Sequence, residues 1–207
     1  MQCVRLLLYN NTIGAYNTGI GRNALYSNTT GTDNTALGYL ALSSNTIGQY
    51  NTGIGTLSLY NITTGSSNVG LGRSALYTNT TGNYNVALGT NSLYTADGTQ
   101  YNVAIGYAAM RQTTTGDSNT AVGYQSMYSN TIGLYNASFG AQSFYNNTTG
   151  QQNTAVGYGS MYSTTTGSYN VALGTNSLNA NSVGSNNVAV GYQAMNTANG
   201  TLYNVAI

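Results

Sequence analysis

The chain has 207 residues, enough for one or two ordinary domains, yet only 3% are charged and the formal net charge is +1, where about a quarter of an ordinary soluble protein is Asp, Glu, Lys or Arg. The charges are Arg5, Arg22, Arg73, Arg111, Asp33, Asp97 and Asp117, and Lys, Glu, His, Pro and Trp are absent. So neutral a chain argues against nucleic acid or an anionic membrane surface as partner, and its frequent apolar residues argue against simple disorder.

Residues 1–9 read as an irregular lead-in or a degenerate coil. The opening Met1-Gln2-Cys3-Val4-Arg5-Leu6-Leu7-Leu8 is too short for a signal peptide. No apolar run approaches the ~20 residues that a membrane-spanning helix needs. Cys3 is the single cysteine, so an internal disulfide is excluded. It reads as an incidental thiol near a terminus ahead of an interchain bridge.

Residues 10–207 are tandem repeats. An Asn recurs every 17 residues, at Asn17, Asn34, Asn51, Asn68, Asn85, Asn102, Asn119, Asn136, Asn153, Asn170, Asn187 and Asn204, with no insertion or deletion. Numbered from that Asn, the unit is N-[TV]-[AG]-[LIV]-G-x-x-[AS]-[LM]-Y-x-N-T-[TI]-G-x-Y. A period without drift means identical units stacked in register. Two or more Gly per unit, with many Thr and Asn, exclude helix. Positions 1–5, as in Asn85-Val86-Ala87-Leu88-Gly89, predict a short strand with positions 2 and 4 on one face and position 3 on the other. Positions 7–10, as in Asn91-Ser92-Leu93-Tyr94, predict a second short strand. Thr-Thr-Gly or Thr-Ile-Gly at positions 13–15 predicts a turn in which Gly supplies positive φ. In Ala96-Asp97-Gly98-Thr99 and Ala198-Asn199-Gly200-Thr201 the Gly moves one place earlier, making Asp-Gly and Asn-Gly tight-turn pairs.

The fold expected is all-β: a parallel β-solenoid, or β-roll, of 17-residue coils. At about 4.8 Å per coil, twelve coils make a rod of about 60 Å. The Asn column predicts a side-chain amide ladder, each amide donating to the next coil, and Tyr at positions 10 and 17 predicts ring stacks. The large apolar residues of positions 4 and 9 are taken as the core. Twenty-three such side chains make a thin core for this length, which predicts burial of a face in a homo-oligomer. Ending at Tyr203-Asn204-Val205-Ala206-Ile207, partway through a unit, the chain is expected to continue or dock beyond 207 as a rod or filament. Position 17 nearly alternates between Tyr and a polar residue, hinting at a 34-residue superperiod that reflects either alternating faces or duplication.

The core Asn102-Val103-Ala104-Ile105-Gly106, repeated at Asn187-Val188-Ala189-Val190-Gly191, resembles the head repeats of YadA-like trimeric autotransporter adhesins. The longer Asn119-Thr120-Ala121-Val122-Gly123-Tyr124-Gln125-Ser126-Met127-Tyr128-Ser129-Asn130-Thr131 is similar to repeat arrays of bacterial surface proteins and phage tail-fibre-like shafts. This resemblance covers 10–207 and implies a left-handed β-roll, trimerised into a rod outside the cell. The 17-residue unit is longer than the adhesin unit, and the sequence contains no coiled-coil stalk or membrane anchor of that family.

Catalysis has no foundation in this sequence. The three Asp lie in different units, no His is available for a triad or metal site, and Cys3 has no base beside it. No cofactor is implied. Gly19-Ile20-Gly21, Gly53-Ile54-Gly55 and Gly70-Leu71-Gly72 are repeat positions 3–5 and not phosphate loops. Asn-x-Ser/Thr triplets at Asn10, Asn28, Asn61, Asn79, Asn136, Asn146, Asn147 and Asn199 are candidate glycosylation sites, most of them expected on exposed turns. The function expected is the structural shaft of an extracellular fibre at a cell or virion surface. The partners expected are further copies of the chain and glycans, attached covalently or presented by a host surface. Two alternatives are a carbohydrate-binding adhesive module using Tyr and polar ladders, and an amyloid-like matrix fibre.

Overall fold

A computed structural model describes residues 8–207; Cys3, Arg5 and most of the lead-in lie outside the described residues. Two compact units divide the chain, the first running to Asn102 and the second from Val103 to Ile207. The first holds β1 (Thr18–Ile20), β2 (Thr35–Leu37), β3 (Thr52–Ile54), β4 (Val69–Leu71) and β5 (Val86–Leu88). The second holds β6 (Val103–Ile105), β7 (Thr120–Val122), β8 (Ala137–Phe139), β9 (Thr154–Val156), β10 (Val171–Leu173), β11 (Val188–Val190) and β12 (Val205–Ala206). There is no helix among the described residues.

Each unit is a parallel β-solenoid with 17-residue coils. Strand partners are the same position one coil on: Thr52 faces Val69 and Ile54 faces Leu71, and Val171 faces Val188. Leu8 and Tyr9, from the expected lead-in, already keep the pattern. Leu8 N donates to Ala24 O, where position 9 of one coil meets position 8 of the next, and the Tyr9 ring stacks on Tyr26.

The strand is three residues long because the position-5 glycine ends it, at φ 124–143. That conformation needs glycine, and the packing needs it as well. A Cβ on Gly55 would lie 2.7 Å from Gly72 O, and one on Gly106 would lie 2.4 Å from Gly123 O.

Position 4 does not belong to the core. The strand turns position 3 inward, so Ala36, Ala87, Ala104 and Ala172 are fully buried while Ile20, Leu37 and Leu71 are 54, 44 and 44% exposed. The interior is too narrow for anything larger at position 3. Even a Cβ on Gly53 would come within 3.2 Å of Leu42 Cδ1 across the coil. Position 9 therefore supplies the large core groups, with Leu25, Leu42, Leu59, Met110, Met127 and Phe144 all buried. Position 8 fills the remaining space with Ala or Ser. Its serines reach across the coil, as Ser58 Oγ does to Gly70 O at 2.8 Å.

The second predicted strand, over positions 7–10, is a turn. Non-glycine residues at position 7 adopt φ 52–59, and those at position 9 adopt φ 47–53, a left-handed geometry disfavoured for Leu, Met and Phe. Two interactions hold position 9 there: its side chain is buried, and its N–H donates to the next coil. Leu59 N reaches Ala75 O at 2.9 Å, and Phe144 N reaches Ser160 O at 2.8 Å. Alternating left-handed residues cannot continue a sheet, so one strand per coil remains.

The position-15 glycine is conserved by crowding within the repeat and not by positive φ, contrary to the expected turn. A Cβ on Gly65 would sit 2.4 Å from Gly82 O, and one on Gly150 2.4 Å from Gly167 O. Only in the two shifted turns does a glycine of this segment take positive φ, at Gly98 (68°) and Gly200 (69°).

Candidate functional surfaces

The column of Asn17, Asn34, Asn51, Asn68, Asn85 and Asn102 in the first unit is a continuous ladder, and so is that of Asn119, Asn136, Asn153, Asn170, Asn187 and Asn204 in the second. Each Oδ1 accepts the backbone N–H of the next Asn, as Asn68 Oδ1 does from Asn85 N at 3.0 Å and Asn153 Oδ1 from Asn170 N at 3.0 Å. Most also accept the next Nδ2–H, as between Asn85 and Asn68 at 3.1 Å. The same Nδ2 donates to the position-15 carbonyl of its own 17-residue unit, for example Asn68 Nδ2 to Gly82 O at 2.8 Å. The ladder forms with the amides donating toward the preceding coil, the reverse of the expected direction, because each Oδ1 is taken by the N–H groups of the following Asn.

A second amide column at position 12 was not read as a ladder. Asn28 Nδ2 donates to Asn11 Oδ1 at 2.8 Å, Asn45 Nδ2 to Asn28 Oδ1 at 2.8 Å, and Asn147 Nδ2 to Asn130 Oδ1 at 2.7 Å. Each also donates to the glycine carbonyl three residues on, as Asn28 does to Gly31 O. The sequence carried a signal: where Asn is missing, the column holds Ile62, Ala96, Thr113, Thr164 and Ala198. Asn that exchanges with Ile and Ala marks an interior site.

That burial corrects the expectation that most of the candidate glycosylation sites are exposed. Asn28, Asn79 and Asn147 are fully buried position-12 amides, and Asn136 is 2% exposed in the first ladder. An amide already held between coils is closed to an enzyme acting on the folded chain. Asn10 and Asn199 are exposed, and Asn61 and Asn146 are half-buried. Asn199 is itself engaged, its Oδ1 accepting from Ser182 N and Oγ.

Threonines at position 13 form a third ladder through their hydroxyls. Thr29 Oγ1 donates to Thr46 O at 3.0 Å, Thr46 Oγ1 to Thr63 O at 3.0 Å, and Thr131 Oγ1 to Thr148 O at 2.8 Å. In the first shifted turn Asp97 substitutes for that carbonyl, accepting from Thr80 N at 3.0 Å and Thr80 Oγ1 at 2.5 Å.

Tyrosines at position 10 stack as expected. Tyr60, Tyr77 and Tyr94 form one run with centroids 5.4 and 5.0 Å apart, and Tyr128, Tyr145 and Tyr162 another at 5.1 and 5.1 Å. Arg111 caps the second run, its guanidinium 5.9 Å from the Tyr128 ring centre and its Nη1 donating to Tyr128 Oη at 3.1 Å. Partial burial, then the neighbouring phenols Tyr128, Tyr162 and Tyr124, hold the Tyr145 phenol above its ordinary value. Positions 6 and 17 carry more exposed rings, among them Tyr39, Tyr107, Tyr158 and Tyr192 at position 6.

Among the described residues no three His, Cys, Asp or Glu side chains lie together as a metal cluster, and no helix is long and apolar enough to cross a membrane. No family model matches the chain, and comparison with curated proteins and with solved structures also gives no match.

Proposed function

We propose that the chain is the structural shaft of an extracellular fibre or filament, such as a surface filament, adhesin stalk or viral tail fibre, and that it works as a homo-oligomer. One observation carries this reading: the polar side chains that would build a site in an enzyme are engaged in binding coil to coil. The position-1 amide ladder is continuous within each unit, and a second amide column, a hydroxyl column and stacked rings join neighbouring coils in runs. Such an arrangement resists bending and repeats one surface along its length, as a spacer requires.

The outward column at position 4 supports association. Ile20, Leu37 and Leu71 in the first unit, and Phe139, Val156 and Leu173 in the second, each present a line of large apolar groups to solvent, and an apolar line of this kind marks an interaction surface. The likeness to trimeric adhesin heads makes three the expected number of copies. A sugar coat, where present, is restricted to Asn10, Asn61, Asn146 and Asn199.

The exposed tyrosines favour a second reading, a carbohydrate-binding adhesive module. Tyr→Ala changes at position 6 that abolish attachment to cells while leaving the fibre intact would select it. For the shaft, the test is cryo-electron microscopy of the native particle. Uniform filaments or fixed-length shafts built from this chain support the proposal, with density at the four accessible Asn residues reporting the coat. Dispersed single chains in the native source would refute it.

A further inference from the structure

The backbone at position 17 is nearly identical on every coil. Its φ is 54–61 from Tyr16 to Tyr203, and its N–H donates to the carbonyl of position 16 one coil earlier: Tyr50 to Thr32 at 3.1 Å, Ser67 to Gln49 at 2.9 Å, Tyr84 to Ser66 at 3.2 Å, and Asn186 to Ser168 at 3.0 Å. Side chains thus leave the surface from equivalent points, one coil apart. Where tyrosines fall on neighbouring coils they stack flat, Tyr84 on Tyr101 at 5.2 Å and 0°.

Elsewhere every second ring is left out. The first unit carries Tyr16, Tyr50 and Tyr84 with Asp33 and Ser67 between them; the second carries Tyr135, Tyr169 and Tyr203 with Gln152 and Asn186 between them. These tyrosines are 54–85% exposed. Two coil steps are about 9.6 Å, close to twice the stacking distance at Tyr84. Each gap therefore has the width of one further ring in contact with both walls.

We propose that the rings filling these gaps are the position-17 tyrosines of a second copy of this chain. Within each unit two such columns face one another, offset by a single coil, and interdigitate, the partner's rings entering the gaps at Asp33, Ser67, Gln152 and Asn186. An occupant must present flat groups at a two-coil period, and this chain's own column has that period. The polar residues at the gap floors meet the incoming phenol hydroxyls. This assignment rests on the self-association proposed above and adds to the position-4 contact a second, pairwise one. It also gives the 34-residue superperiod a role: alternation makes the column complementary to itself, whereas a tyrosine on every coil would stack only with its own chain.

The test is sedimentation of the full chain over a wide concentration range, comparing wild type with a gap-filled variant, Asp33→Tyr, Ser67→Tyr, Gln152→Tyr and Asn186→Tyr. Tyrosine already occupies this backbone geometry elsewhere in the column, so the fold is expected to persist, as circular dichroism will report. The variant exposes more aromatic surface, so nonspecific adhesion would strengthen its association, whereas loss of the gaps weakens it at least tenfold. A second variant, Tyr50→Ser with Tyr169→Ser, removes teeth and should weaken association similarly. Undiminished association of both variants overturns the interdigitated contact and leaves self-assembly through another face. A wild-type chain that stays monomeric overturns both. Saturable binding of a soluble oligosaccharide that dissociates the wild-type complex and is lost in the gap-filled variant assigns the gaps to sugar rings and overturns the proposal.

Discussion

The two asparagine columns differ in how strictly they keep their residue. Position 1 is Asn in every coil, while position 12 admits Ile62, Ala96, Thr113, Thr164 and Ala198. Both are interior, so burial does not explain the difference. What separates them is the partner. At position 1 the side-chain oxygen accepts the main-chain N–H of the following coil, as Asn51 Oδ1 does from Asn68 N. At position 12 the oxygen of Asn79 or Asn147 accepts the N–H of the glycine three residues on. Where Asn is replaced, that N–H has a main-chain acceptor: Gly65, in the coil of Ile62, donates to Thr80 O at 3.3 Å. An interior amide is invariant where it closes a hydrogen bond that the main chain cannot close alone.

Substitutions can break or sharpen this contrast. Asn51→Ala strands Asn68 N–H and Gly65 O inside the coil and should cost about 3–6 kcal/mol, two buried unsatisfied groups at about 1–3 each, measured as unfolding free energy in urea. A cost no greater than at position 12 would erase the distinction. Next comes the inside–outside comparison. Leu76→Ala, at position 9, should cost about 2–5 kcal/mol, and Leu71→Ala, on the outward column, about 0.5 or less in the isolated chain. Asn147→Ala should cost about 1–2 kcal/mol, less than Asn51→Ala because the ladder tolerates breaks. Thr164 sits in one such break with its hydroxyl buried and unpartnered. Thr164→Asn should rejoin Asn147 to Asn181 and raise stability by about 1 kcal/mol, seen as a higher melting temperature.

The smallest effect is alkaline. The raised Tyr145 value means that the folded chain holds this proton more tightly than the unfolded chain. Its contribution is complete below the ordinary tyrosine value of 10.0 and disappears as pH rises through the folded value. Unfolding midpoints of the wild type should therefore fall more steeply than those of Tyr145→Phe above about pH 10.

The period, the parallel in-register pairing, the strand at positions 2–4 and the first amide ladder were legible in the sequence, because each depends on like residues recurring at a fixed interval. Which face of that strand points inward was not. Ile20 and Leu37 are large and apolar, and size suggested the core. The better signal was constraint: position 3 accepts only Ala, Gly or Ser, whereas position 4 ranges from Val to Phe at Phe139. Narrow tolerance marks the tight side. The turn at positions 7–10 was hidden because Leu25 and Met127 carry no local mark of left-handed geometry; that conformation is imposed by burial of the side chain and by the bond to the next coil. Among the glycosylation triplets, the motif was visible but its accessibility was not, since the same Asn that forms the triplet at Asn28 or Asn147 also forms the ladder.

The regular 17-residue offset has a kinetic consequence. Each inter-coil bond within a unit joins residues about one coil apart, as Asn45 to Asn28 or Thr63 to Thr80, and 17 divided by 207 is about 0.08. Relative contact orders of about 0.07–0.12 belong to helical bundles, while all-β domains sit near 0.16–0.22 and fold far more slowly. This chain has the hydrogen bonding of a sheet with the sequence locality of a bundle. A coil needs only its immediate predecessor as a template, so order can begin at many points and advance along the chain while later residues are still being synthesised.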